Sequence, residues 1–151
     1  MTAYQLSIFA ENKPGRLAKV TKILGKENIN IRAISISTSD VFGVINMMVD
    51  DPGRAQKALS KAGLTVNLKE VIAVAVEDKP GELDKLIQLL YEEDVNIENA
   101  YGFVLESWKK AVFVVDVDQH EKTEEILKKR GLTILDAEAL AAAEPFHYMK
   151  Y

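Results

Sequence analysis

Proline and glycine, preceded by asparagine in one case and aspartate in the other, stand together at two points of the chain, in an arrangement that could bind a small ion. The stretch ENKPGRL begins at Glu11, and EDKPGEL begins at Glu77. A proline keeps the residue before it extended, and a glycine lets the backbone turn while leaving it uncovered. A helix that starts directly after such a turn presents free N–H groups and the positive end of its dipole. This arrangement favours a carboxylate or phosphate ligand.

Two asparagines of the first copy offer the further polar groups that such a ligand needs. The helix dipole contributes about 0.3–2 kcal/mol, whereas millimolar to micromolar binding requires about 4–8 kcal/mol. Asn12 flanks the turn and Asn30 begins the next predicted strand, and an amide suits a zwitterion because it both donates and accepts. The second copy has Asp78 and Asn96 in these places. The alternative reading is that Asn12 and Asp78 only cap the helices.

The remaining chemistry-bearing residues do not form a pattern typical of catalysis or metal binding. The sequence has no cysteine, which excludes disulfides, thiol catalysis and thiolate metal sites. The two histidines, His120 beside a predicted helix start and His147 in the tail, are expected to be solvent-exposed. We therefore predict no enzyme activity, no cofactor and no metal. Hydroxyl residues that lack a base spaced to activate them are expected to be strand and turn residues: Ser35, Ser37, Thr38 and Ser39.

Composition and charge narrow the class of protein. The chain has 151 residues, a net charge of −4 and 48% hydrophobic residues, which is typical of a globular protein. It contains neither an apolar run of the roughly 20 residues that a membrane span needs nor a signal-peptide pattern at its start. We predict a cytoplasmic protein without a membrane partner. The mild acidity argues against a nucleic-acid partner. So does the scarcity of aromatic residues in the strands that would stack bases, where Phe113 of the second copy stands alone.

The two turns belong to a longer internal repeat. Leu6 and Ile8 correspond to Ile72 and Val74, and ENINI corresponds to EDVNI at one constant spacing. The spacing grows by two residues before KAGLTV meets KRGLTI. A two-residue insertion is therefore expected near ESWKK. Agreement of motif order and glycine positions indicates a duplicated structural unit.

Each copy reads β-α-β-β-α-β. Apolar residues alternate in the first strand and recur at helical spacing after the turn. Asp51 is the expected N-cap and Gly63 the expected C-terminal residue of the second helix. Helices are expected near Gly81–Glu93 and Glu121–Lys129 of the second copy. This order predicts an α+β protein with two ferredoxin-like units, each an antiparallel sheet with both helices on one face. The predicted division is 1–70, 71–138 and a tail of 139–151.

The motifs NKPGRL and DKPGEL, each followed by a helix and then by NINI or DVNI, resemble the ACT domain family. The resemblance covers both copies and indicates a stand-alone tandem ACT protein. It implies a regulatory, allosteric module that binds an amino acid where paired units meet. One implied site combines Asn12, Pro14, Gly15, Arg16 and Leu17 with Asn96 and Ile97. The other combines Asp78, Pro80, Gly81, Glu82 and Leu83 with Asn30 and Ile31.

The two implied sites are expected to differ. Asp78 and Glu82 make the second turn more negative, so the turn at Asn12 should accept an anion better. Some family members carry a histidine two positions before the asparagine, whereas this chain has Ala10 and Val76 there.

Partners are predicted from the strands. VIAVAV and AVFVVDV are apolar on both faces, so the free sheet face should be covered by the other copy or by a second chain. We expect a homodimer or larger oligomer that binds an amino acid and acts on a metabolic enzyme or regulator. The alternative is an assembly protein that regulates a partner enzyme through protein contacts without a ligand. Trp108, in the longer hairpin, is expected to be a local anchor.

Overall fold

A computed structural model describes residues 2–142 of the chain. The contacts between residues divide it into two units. One unit comprises Tyr4–Lys69, and the other comprises the chain from Glu70 onwards together with Thr2 and Ala3. Most of the predicted tail, including His147, lies outside the described residues.

The N-terminal unit has the element order β-α-β-β-α-β. Its elements are β1 Ala3–Glu11, α1 Arg16–Lys26, β2 Ile31–Ser39, β3 Phe42–Val49, α2 Pro52–Lys61 and the first part of β4 Thr65–Glu77.

The C-terminal unit repeats this order and adds a short helix. It uses the second part of β4, followed by α3 Glu82–Glu92, β5 Ile97–Glu106, β6 Lys110–Val117, α4 His120–Lys129, β7 Thr133–Leu135 and α5 Ala137–Ala142. No linker separates the two copies, because β4 passes from one unit into the next.

The strand order is β2-β3-β1-β4 in the N-terminal unit and β7-β4-β6-β5 in the C-terminal unit. The pairs whose register is resolved are antiparallel: β1 with β3, β2 with β3, β4 with β6, β4 with β7, and β5 with β6. The predicted α+β, ferredoxin-like arrangement is confirmed.

Each unit has its own core between its helices and one face of its sheet. In the N-terminal unit, Leu6 pairs with Met47 on that face, and both are fully buried. Both helices cover this face because their apolar residues recur every three or four positions. The buried helix residues are Val20, Leu24, Ala55 and Leu59 in the N-terminal unit and Leu86, Leu90 and Leu127 in the C-terminal unit.

The ends of α2 follow the sequence signals. Asp51 Oδ1 accepts the backbone N–H of Arg54 at 3.2 Å, so the predicted N-cap is confirmed. Gly63 follows the C-cap with φ +88°, a left-handed conformation that favours glycine. Helix α4 begins at His120, one residue before the predicted start.

The hairpin between β5 and β6 contains the two-residue insertion. Residues 107–109 join these strands, whereas Asp40 and Val41 join β2 and β3, and β5 has 10 residues where β2 has 9. Trp108 lies in this longer turn with φ +64° and is 80% exposed. The prediction that Trp108 anchors the hairpin is wrong, because its indole packs on too little surface to do so.

The second face of each sheet, away from the two helices, also has buried residues on its central strands. Val71 and Ala73 are no more than 1% exposed, like their neighbours on the core face. Buried polar residues are present there too, since Ser7 Oγ donates to Asn46 Oδ1 at 2.9 Å. In the C-terminal unit, burial raises the pKa of Tyr101 on β5, and the charge of Asp116 raises it further. The oligomer expected from these apolar strands stays a prediction.

Candidate ligand-binding sites

The N-terminal turn is tied to the neighbouring hairpin by Asn12. Its backbone N–H donates to Val41 O at 2.7 Å, and its side-chain Nδ2 donates to Asp40 O at 3.3 Å. The residue at the N-cap of α1 is Gly15, and no side chain caps that helix. The reading of Asn12 as a helix cap is therefore wrong; Asn12 fixes the turn against the tip of the β2–β3 hairpin.

Asp78 ties the C-terminal turn to the β5–β6 hairpin, but its side chain accepts a hydrogen bond where that of Asn12 donates one. Its backbone N–H donates to Lys109 O at 3.1 Å, and its Oδ2 accepts the backbone N–H of Trp108 at 2.7 Å. Gly81 occupies the N-cap of α3, again without a side-chain cap. The change from asparagine to aspartate thus matches a hairpin that offers a donor in place of an acceptor.

Both glycines leave their turns open. Gly15 has φ +89° and Gly81 has φ +88°, a region that other residues rarely adopt. A Cβ atom built at either position would meet no atom within 4 Å. The glycines are therefore required by backbone conformation, and the space beside them is accessible to a ligand.

Opposite charges surround the N-terminal turn. Glu11 Oε2 lies 2.9 Å from Lys13 Nζ, and Glu11 Oε1 lies 3.7 Å from Arg16 Nη2. The hydrogen bond and the charge of Lys13, with a smaller contribution from Arg16, hold the pKa of Glu11 below its ordinary value. Glu11 is therefore ionised at neutral pH and gives this turn a carboxylate beside a guanidinium.

The C-terminal turn has a different charge pattern. Glu77 Oε2 lies 2.7 Å from Lys79 Nζ, which lowers the pKa of Glu77 and raises that of Lys79. Glu82 occupies the position of the first-copy arginine, and its Oε1 lies 3.0 Å from Lys85 Nζ. Two carboxylates therefore flank this turn.

The strand starts lie far from the turn within the same unit. Asn30 and Asp50 exchange bonds at the start of β2, where Asn30 N–H donates to Asp50 Oδ1 and Asp50 N–H donates to Asn30 O, both at 3.1 Å. The turn at Asn12 contacts the other end of β2, about 26 Å away for eight residues of strand. One unit thus does not bring its own Asn12 and Asn30 together.

The second copy has the same separation. Asp118 N–H donates to Asn96 O at 3.4 Å beside the start of β5, and Asp78 contacts the opposite end of that hairpin. Ile31 and Ile97 follow the two asparagines and pack against the cores of their own units. Their assignment to a ligand site, like that of Asn30 and Asn96, stays a prediction.

Two equivalent clefts lie behind the turns, and most of their residues were missed at the sequence level. The cleft of the N-terminal unit is about 260 Å³ and is lined by Phe9, Ala10, Glu11, Arg16, Phe42, Gly63, Leu64 and Thr65. The cleft of the C-terminal unit is about 280 Å³ and is lined by Ala75, Val76, Glu77, Glu82, Lys85, Leu86, Leu89, Arg130, Gly131, Leu132 and Thr133. The repeated GLT tripeptide is the sequence feature that points to them.

His120 is less exposed than the sequence predicts. Its side chain is 19% exposed and its Nε2 lies 3.2 Å from Thr2 Oγ1. Its Nδ1 lies 3.8 Å from a carboxylate oxygen of Glu70. The expectation of a solvent-exposed histidine is therefore wrong, because the start of the chain packs against this part of α4.

Residues 2–142 also lack two further features. No group of three or more histidine, cysteine, aspartate or glutamate residues in this part of the chain could hold a metal ion. None of the helices in the described range combines the length and the apolar character that crossing a membrane requires.

Comparison with known proteins assigns the family. The sequence matches the family described as an ACT domain pair over residues 1–143. The chain belongs to the ACT domain family. This match covers both ACT units and includes the two Pro-Gly turns. No curated protein matches the chain.

Solved structures share the fold of this chain. Protein BT0572 from Bacteroides thetaiotaomicron is 39% identical, with a TM-score of 0.87, over 94% of this chain and 97% of that one. The ligand-free regulatory subunit of aspartate kinase from Thermus thermophilus is 17% identical, with a TM-score of 0.58, over 85% of this chain and 91% of that one. The corresponding Thermus flavus subunit is 18% identical, with a TM-score of 0.57, over 85% and 90%. At this identity the two Thermus proteins show a shared fold.

Proposed function

We propose that this ACT protein binds a free amino acid and regulates a partner, without chemistry of its own. The observation that carries the proposal is the open turn at Gly15. Its left-handed glycine leaves space for a ligand, and the uncapped start of α1 follows it directly. Such a helix start attracts a carboxylate through its free N–H groups and its dipole.

The charges beside this turn support a zwitterionic ligand. A free amino acid has one carboxylate and one ammonium group, and Arg16 and Glu11 offer the complementary charges side by side. Asn12 is held against the hairpin, so the turn is fixed in place before a ligand arrives. A site that is already ordered binds more tightly because binding costs less conformational entropy.

The proposal assigns the stronger anion site to the N-terminal unit. At the C-terminal turn, Glu82 replaces the arginine, and its carboxylate repels the carboxylate of a ligand. The charge of Asp78 is partly offset, because its Oδ2 accepts a backbone N–H. The two turns should therefore differ in affinity, with the C-terminal turn weaker for amino acids.

Regulation would follow from differential binding. An amino acid that binds one conformation of the protein better than another shifts the balance between them, typically by a coupling energy of about 1–3 kcal/mol. A metabolic enzyme or a regulator of amino-acid metabolism is the kind of partner that this control suits. The ACT domain family, whose members are regulatory modules, supports this role.

A thermal-shift screen of the twenty amino acids tests the proposal. A ligand at about 100 times its dissociation constant adds about 2.7 kcal/mol of stability, which raises the melting temperature by roughly 5–11 °C for a chain of this size. Asn12→Ala should remove most of the shift, whereas Asp78→Ala, the matched change in the other turn, should leave most of it. If none of the twenty amino acids changes the melting temperature, the proposal is wrong.

A second candidate function is protein assembly without a ligand. It is favoured by apolar residues exposed on β2 and its hairpin, namely Ile34, Ile36, Val41 and Phe42. Strand β2 is also at the edge of its sheet, where unpaired backbone groups can bind another strand. Sedimentation at micromolar concentration distinguishes the candidates. A dimer that is dissociated by Ile36→Lys and is indifferent to amino acids would favour assembly.

A further inference from the structure

We propose that the cleft of the N-terminal unit selects amino acids with an apolar side chain. In this assignment Arg16 binds the ligand carboxylate and Glu11 binds its ammonium group. Phe9 and Phe42 contact the ligand side chain. The inference rests on the proposed function and specifies the class of amino acid that this unit binds.

The guanidinium of Arg16 has donors to spare. Its one ion pair at the cleft, Nη2 to Glu11 Oε1, is 3.7 Å long, which is too far for a strong hydrogen bond. Its Nε is buried and has no hydrogen-bond partner among the described residues. A guanidinium has five N–H donors and binds a carboxylate through two parallel bonds. A ligand carboxylate would thus supply acceptors for the N–H donors of Arg16.

Glu11 is placed to receive the ammonium group. Its Oε2 lies 2.9 Å from Lys13 Nζ, whereas among residues 2–142 the contact of Oε1 is the long one with Arg16. In an α-amino acid the ammonium nitrogen and the carboxylate are attached to the same carbon. A neighbouring carboxylate and guanidinium therefore match the two charges of such a ligand at once.

Two phenylalanines make the rest of the cleft apolar. Phe42 lies directly opposite Glu11 in the pairing of β1 with β3, and it is 67% exposed. Phe9 is 43% exposed, and both rings line the cleft together with Leu64. Large aromatic side chains gain from contact with an apolar group that would otherwise be in water.

The size of the cleft limits what it can hold. Its volume of about 260 Å³ is slightly below the roughly 300–1,000 Å³ of pockets for drug-sized ligands. A single amino acid matches this size, whereas a nucleotide is too large.

The equivalent cleft of the C-terminal unit lacks these features. Ala75 stands in the place of Phe9, and Lys110 stands opposite Glu77 where Phe42 stands opposite Glu11. Both aromatic positions are therefore lost, in addition to the exchange of Arg16 for a glutamate. Because the backbone is repeated and the side chains are not, selection for apolar ligands belongs to the N-terminal unit.

Calorimetric titration of the full chain tests the inference. The probes are leucine and phenylalanine, with aspartate and lysine as charged side chains and alanine as a small one. Leucinamide lacks the carboxylate and N-acetyl-leucine lacks the ammonium group. Leucine or phenylalanine should bind at least tenfold more tightly than leucinamide and N-acetyl-leucine, since each lost charge contact is worth a factor of ten or more. They should also bind at least tenfold more tightly than aspartate and lysine, because a charged side chain would have to leave water for the apolar part of the cleft.

Variants locate the site. Arg16→Gln should weaken leucine binding at least tenfold, and Phe42→Ala should weaken it about fivefold or more while changing alanine binding little. Phe42→Leu keeps an apolar contact and should restore most of the affinity. The matched change Lys110→Ala should leave leucine binding unchanged, and Glu82→Gln, which removes a repelling carboxylate at the other turn, should not weaken it. Because the Phe42 side chain is largely exposed, its variants should keep the melting temperature of the parent protein.

The outcomes separate the two proposals. If a charged or polar amino acid binds as tightly as leucine, or if Phe42→Ala binds leucine normally, the inference is wrong and amino-acid binding stands. If leucine binding is lost in Glu82→Gln rather than in Arg16→Gln, the site belongs to the other unit and the inference is again wrong. If no amino acid binds, both proposals fail.

Discussion

The turn before α1 makes a quantitative prediction about two glycines that lie ten residues apart. Gly15 has φ +89°, whereas Gly25 is an exposed residue inside α1. A Cβ added at either position would meet nothing within 4 Å. Replacement by alanine therefore causes no clash at either site, and any change in stability comes from the backbone conformation alone.

Gly15→Ala and Gly25→Ala should have effects of opposite sign. A residue with a Cβ in the left-handed region costs about 1–2 kcal/mol, so Gly15→Ala should lower the free energy of unfolding by that amount. Alanine in a helix is favoured over glycine by roughly 0.5–1 kcal/mol, so Gly25→Ala, in the last turn of α1, should raise it. The two variants should therefore differ by about 1.5–3 kcal/mol.

Urea denaturation followed by circular dichroism measures the free energy of unfolding of both variants. Thermal denaturation under the same conditions measures their melting temperatures. At roughly 2–4 °C per kcal/mol, their melting temperatures should differ by about 3–12 °C. Gly15→Asn should be milder than Gly15→Ala, because asparagine tolerates this region, and Asn28 adopts φ +56° in the same unit. Equal stability of the two alanine variants would refute the reasoning, since it would mean that the turn can relax out of its left-handed conformation.

Three further predictions concern the cap, the turn and the ion pairs. Asp51→Ala removes the N-cap bond of α2 and should cost about 1 kcal/mol, whereas Gln119→Ala at the uncapped start of α4 should cost little, as urea denaturation would show. Asn12→Asp places a carboxylate against the carbonyl of Asp40 in place of an N–H donor, and should cost about 1–3 kcal/mol by the same assay. The lowered pKa of Glu11 contributes stability above the ordinary value of 4.5, which is lost as the pH falls through the lowered value. Glu11→Gln should flatten that part of the pH profile of the melting temperature, and an unchanged profile would contradict the ion pair.

Local sequence signals predicted the elements of the fold well. The helix cap at Asp51, the left-handed Gly63 and the two Pro-Gly turns each depend on residues within a few positions, so a single stretch contains the whole cause. The duplication strengthened these interpretations, because each helix and strand could be identified in two related sequences. The fold and the family followed from the same residues.

The roles of particular side chains depended on distant parts of the chain and were harder to predict. Asn12 was considered as a cap, but its partner is a carbonyl in the hairpin between β2 and β3. His120 was expected in water, but the chain start packs against it. The cleft residues Phe9 and Phe42 come together through strand pairing, which the sequence gives only once the register is known.

The continuous strand β4 has a consequence for how this gene can be divided. Lys69 and Glu70 are neighbours in one strand but belong to different units, and Thr2 at the start of the chain belongs to the later unit. The carbonyl of Thr2 accepts the N–H of Ala137, and the hydroxyl of Thr2 donates to Val71 O. A cut between Lys69 and Glu70 would therefore break strand β4 and deprive the C-terminal unit of Thr2 and Ala3. Evolution could duplicate this module, but exchanging one half for that of another protein would require recombination inside a strand.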